Sequence, residues 1–122
     1  MKKETLVSEF LKEIPEIKDQ FEKTCNEYNF DNDTGIYVVW GLGIMPHVLD
    51  LLRKPYEDQN LLEKIFDFFE KMCFEEDDIR DVLLYSTLEI LGDDIIILDK
   101  SRKFMKKETK QCSELVESFL GR

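Results

Sequence analysis

The chain has 122 residues, 43% of them apolar and 36% charged, so it can build one hydrophobic core and is too apolar for wholesale disorder. Its 27 Asp and Glu against 17 Lys and Arg leave a net charge of −10, which repels nucleic acid and anionic lipid and speeds encounter with basic partners. Three cysteines, Cys25, Cys73 and Cys112, stand far apart with no CxxC and no histidine pair, which excludes a disulfide framework and a zinc site.

The opening MKKETLVSEFLKE is interrupted by Glu9, Lys12 and Glu13 before any apolar signal-peptide core can form, so a cytoplasmic protein is expected. Leu6, Val7, Phe10, Leu11 and Ile14 recur at helical spacing. Pro15 suits the first turn of a second helix, which places Ile17, Phe21, Cys25 and Tyr28 on one face. Residues 26–35 break the pattern and read as a loop.

The stretch FDNDTGIYVVWGLGIMPHVL, residues 30–49, is the least ordinary. As a calcium loop it offers Asp31 and Asp33 at positions 1 and 3, but Leu42 stands where the bidentate acid belongs. As a nucleotide fingerprint its GxG lacks a third glycine and a βαβ setting. Its apolar run, Ile36 to Met45, is about half of the roughly 20 residues that cross a bilayer, so no membrane span is expected. A central core helix explains it better, with Asp33 or Thr34 as cap, the glycines admitting a neighbouring helix, and Pro46 forcing a bend near residues 41–45. Residues 36–40, rich in β-branched side chains, also fit a short strand. His47 is the sole neutral-pH acid–base candidate, and Asp50, three residues on, is placed to orient it.

Beyond Pro55, Leu61, Leu62, Ile65, Phe66, Phe69, Met72 and Cys73 make a strong apolar stripe. Glu75, Glu76, Asp77 and Asp78 then open a helix whose Ile79, Val82, Leu83, Leu84, Leu88, Ile90 and Leu91 cover more than one face, stopped by Gly92. Glu76 and Arg80 are spaced to pair, whereas Asp77 and Asp81 repel, so acid remains that local structure does not use. Asp93, Asp94 and Asp99 add to it. Ile95 to Leu98, Phe104 and Met105 form a shorter element, and Cys112, Leu115, Val116, Phe119 and Leu120 an amphipathic helix ending at Gly121. Between these two, Lys100, Arg102, Lys103, Lys106, Lys107 and Lys110 form a basic patch without interleaved aromatics except Phe104. It balances the acidic hairpin better than it builds a nucleic-acid groove.

Three segments together, FLKEIPEIKDQFE, YVVWGLGIMPHVLDLLRK and LLEKIFDFFEKMCFEEDDIRDVLLYSTLEILGDD, resemble a domain-of-unknown-function family of small bacterial helical proteins. Phe10, Pro15 and Glu16 match its start, Gly41, Pro46, Leu51 and Leu52 its core helix, and Leu88 to Asp94 its second hairpin. Such proteins are similar in size, acidity and helical make-up to immunity proteins that neutralise bacterial toxins, and the resemblance supplies no catalytic residues.

The expectation is therefore a single all-α domain over 1–122, a compact bundle of about six to seven helices arranged as hairpins at a HEAT-like spacing. Its expected role is to bind and occlude a basic protein, such as a toxin domain, without a cofactor, metal or nucleic acid. Glu75, Glu76, Asp77, Asp78 and Asp81 would supply attraction, with Tyr56 and Tyr85 as anchors. A scaffold without a toxin partner, and a small enzyme using His47 with Cys25, Cys73 or Asp50, are the alternatives.

Overall fold

Seven helices and no strand follow one another in the computed structural model, which describes all 122 residues. They are α1 (Leu6–Glu13), α2 (Lys18–Tyr28, entered through a 3₁₀ turn at Pro15–Ile17), α3 (Ile36–Arg53), α4 (Gln59–Met72), α5 (77–91), α6 (Ile95–Arg102) and α7 (Lys107–Leu120). Residues 36–40 are helical, which removes the strand reading. The fully buried Phe10, Trp40, Phe66, Phe68 and Phe69 form the centre of one core, with Phe10 edge-on to both Trp40 and Phe68.

Two helices carry a π turn, and the two turns meet. Pro46 has no N–H to give and its ring clashes with the preceding turn. The chain answers with a wider turn over Trp40–Ile44, in which the Met45 N–H donates to the Trp40 carbonyl five residues back. A second π turn, Leu84–Leu88, interrupts α5 in the same way. Between them the Trp40 indole N–H donates to the Thr87 hydroxyl at 2.9 Å, and that hydroxyl donates to the Val82 carbonyl at 3.1 Å. All three groups lie inside the protein, and each is satisfied there by the others. The bend expected near residues 41–45 is thus a π turn within a continuous helix. That helix is long and apolar enough to span a bilayer, yet Trp40, Ile44, Met45, Val48 and Leu52 are buried among its neighbours.

Of the two core glycines, only Gly43 is a contact. A Cβ there would stand 2.8 Å from Phe21 Cε2, whereas one at Gly41 would meet nothing within 4 Å. Gly92 does follow α5, but with φ −79°, not in the left-handed conformation expected of a terminating glycine. It is small because the Glu117 carboxylate and the Arg122 guanidinium press against it. Arg122 donates to both Glu117 oxygens, to Asp93 at 2.7 Å and to the Glu89 carbonyl at 2.8 Å, clamping the end of α7 to the α5–α6 corner.

Helix α7 packs on α4 and α5. Its N-terminus is capped from another helix: Glu70 of α4 accepts from the Glu108 and Thr109 amides and, at 2.7 Å, from the Thr109 hydroxyl. Burial alone would raise the Glu70 pKa, but these hydrogen bonds hold the carboxyl below its usual range.

Candidate protein-interaction surface

The acids at the start of α5 divide into used and unused. Glu75 takes the N-terminal amine of Met1, and Asp78 accepts from the Ile79 amide at 2.9 Å. Glu76, Asp77 and Asp81 have no cation within ion-pair distance; the expected Glu76–Arg80 pair does not form, because Arg80 is half-buried and its Nε lies buried without a partner. Of the acids singled out around residue 93, two are absorbed by the fold and the exposed Asp99 has no ion-pair partner. Asp94 caps α6 through the Ile96 and Ile97 amides, and Asp93 holds Arg122. Half of the basic patch is tied down elsewhere, Lys106 to Asp67, Lys103 to Glu57 and Lys100 to the Leu52 carbonyl. None of these cations reaches residues 75–81.

Asp78 and Asp81 line an open cleft of about 700 Å³ together with Lys3, Glu4, the 32–36 loop and Tyr37. The loop is organised by Asp31, whose carboxylate accepts from the Asp33 amide at 2.9 Å and from the Thr34 hydroxyl. Gly35, and neither Asp33 nor Thr34, stands at the cap of α3, with no side-chain bond. Burial, and then the negative charge of Asp81, raise the Tyr37 pKa, and Tyr85 and Asp78 add to the effect.

Tyr85 joins this acidic patch to an apolar one. It is 55% exposed and, with Leu84, Glu89, Leu115, Val116, Phe119 and Leu120, walls a trough of about 200 Å³ between α5 and α7. The amphipathic pattern of α7 predicts an inward apolar face, and the fold uses only part of it. Cys112 and Val116 are buried beside Thr109, Ser113 and Glu117, while Leu115 is 63% and Phe119 84% exposed. Tyr56, 86% exposed on the loop after α3, lines neither the cleft nor the trough.

His47 is half-buried, and its one side-chain partner is Thr24, whose Oγ1 lies 3.2 Å from Nε2 and also donates to the Gln20 carbonyl. Asp50 points to Arg53 instead, at 4.0 Å. Cys25, Cys73 and Cys112 are free thiols. Desolvation, the largest influence, pushes Cys73 up to about 12, which leaves it a neutral, unreactive thiol between Thr109 and the Phe69 carbonyl. No three His, Cys, Asp or Glu side chains gather to hold a metal ion.

The sequence profile of the domain of unknown function DUF7674 matches residues 7–121, so the chain belongs to that family across nearly its whole length. No curated protein and no solved structure matches it.

Proposed function

We propose that this DUF7674 protein is a protein-binding module that inhibits a basic protein domain by covering its active site, as an immunity protein does its toxin. The observation that carries this reading is the set Glu76, Asp77 and Asp81, three carboxylates at one helix start with no cation within ion-pair distance. The repulsion between Asp77 and Asp81, four residues apart, works against the helix, and a basic partner relieves it. Attraction over a Debye length of about 8 Å at physiological salt steers the encounter, and the exposed Tyr85 beside the acids offers an aromatic anchor.

The test is co-purification from the native host combined with inspection of adjacent genes. A basic, toxin-like protein should be recovered and neutralised in stoichiometric ratio. Reversing Glu76, Asp77 and Asp81 to Lys should then slow association by about tenfold to a hundredfold at low salt, with the difference shrinking as salt rises. Recovery of no basic protein, or an association rate indifferent to the reversal, removes the inhibitor reading. A scaffold that recruits a partner without inhibiting it is the second reading; the trough favours it, and it predicts binding that survives the reversal.

A further inference from the structure

Helix α7 is pinned at both ends with part of its apolar stripe outward. At its start Glu70 holds the Glu108 and Thr109 amides, and at its end Arg122 grips Glu117 and Asp93. With both termini fixed, the helix cannot rotate to bury Leu115 and Phe119, and polar Thr109, Ser113 and Glu117 occupy the inward positions instead. Leu115 and Phe119 are thereby left in solvent, 63% and 84% exposed.

The opposite wall carries one charge, Glu89, and Asp81 lies beyond its end, one turn before Tyr85 and in the neighbouring cleft. Asp81, Tyr85 and Glu89 follow one another at four-residue intervals on α5, and neither Asp81 nor Glu89 has an ion-pair partner. Arg122, which reaches this helix, is engaged by Glu117 and Asp93 and meets Glu89 only at its carbonyl. An apolar floor between two helices with an acidic rim matches a helix that is apolar on one face and basic on its flanks. An acidic helix or an anionic bilayer would meet repulsion on the same rim.

We propose that the trough between α5 and α7 receives an amphipathic helix of a basic partner, its apolar stripe on Leu84, Leu115, Val116 and Phe119 and its Lys or Arg flank on Asp81 and Glu89. This rests on the protein-binding reading above and adds the shape of what is bound. The apolar contact supplies residence time, and the acid supplies steering.

The experiment uses the full chain and three labelled peptides of about 18 residues, five helical turns. One has Leu at helical spacing and Lys elsewhere; one has the same composition with the Leu order scrambled; one has Glu for every Lys. Fluorescence anisotropy should show the patterned basic peptide binding at least tenfold more tightly than either control. Leu115→Glu and Phe119→Ser, both at exposed positions and checked by circular dichroism, should each remove that advantage. Equal binding of patterned and scrambled peptides overturns the trough proposal and leaves the charge-based reading standing. So does a native basic partner whose affinity is unmoved by Leu115→Glu. Self-association of the free chain that Leu115→Glu abolishes, seen by sedimentation, assigns the trough to a second copy and also overturns the proposal.

Discussion

Gly41 and Gly43 sit two residues apart in the same π turn and are indistinguishable in the sequence, yet their surroundings give them opposite roles. At Gly43 an added methyl group meets the Phe21 ring at 2.8 Å and the Phe30 ring at 3.6 Å, so the α2 contact must shift. Gly43→Ala should destabilise the fold by about 1–2 kcal/mol, the usual penalty for overpacking. Gly41→Ala meets no atom within 4 Å and removes unfolded-state freedom, so it should stabilise by about 0.5–1 kcal/mol. Urea unfolding of the two variants checks the pair, and equal effects would mean that the α2–α3 approach does not depend on Gly43. The need for a close approach was legible in GLG, but which glycine faces a neighbour depends on the helix rotation that the π turn sets. His47 is similar. Its partner by spacing is Asp50, while its partner in space is Thr24, 23 residues earlier and on another helix.

Helices α4 and α5 and the apolar content of α1 follow directly from periodicity, because each lays a stripe on the core, whereas the start of α3 also fitted a strand. Tyr28 belongs to the stripe expected of α2 but is exposed, stacked on Phe30 at 5.7 Å, and Thr24 takes the buried place. The π turns were legible only as a perturbation near Pro46, since a π turn in α5 has no proline or glycine to announce it. The rotation of α7 was not legible, because what fixes it is a carboxylate 36 or more residues away. That dependence makes a prediction about Glu70. Its pKa is held below the usual range in the folded chain, so the hydrogen bonds contribute stability above the unfolded value of about 4.3 and lose it as pH falls through the lower folded value. Glu70→Gln should cost about 1 kcal/mol at neutral pH, comparable to loss of a helix cap. The cost should fade in acid as the wild-type carboxyl protonates. Chemical denaturation across pH 3–7 reads the difference, and a gap independent of pH would place the stabilisation in shape instead of charge.

Some of the charges of the chain cancel across the fold, while the acids at the start of α5 stay clustered without a cation in ion-pair range. Lys64 meets Glu16, Lys71 meets Glu13 and Lys106 meets Asp67, each joining helices that are remote in sequence. These pairs and the caps at Asp58 and Asp94 account for many of the acids that the composition makes conspicuous. The surplus at Asp77 and Asp81 was legible because i, i+4 acids repel whatever the fold, and Glu76, expected to pair with Arg80, joins it only in the structure. Its connection to the trough was not, because that depends on how α7 is set against α5. If the surplus exists for binding, it should be a mild burden on the free protein, and the two aspartates should respond oppositely to neutralisation. Asp77 begins α5, where a negative charge favours the helix dipole, so Asp77→Asn should destabilise by about 0.3–1 kcal/mol. Asp81 lies a turn further in, beyond most of that benefit and beside Asp77, Asp78 and Tyr37. Asp81→Asn should therefore stabilise by about 0.3–0.5 kcal/mol at low salt, and both differences should shrink toward zero near 1 M salt. Thermal unfolding of the two variants at low and high salt measures this. A destabilised Asp81→Asn would mean that the carboxylate supports the fold itself, and the case for a surface kept charged for a partner would lose its main support.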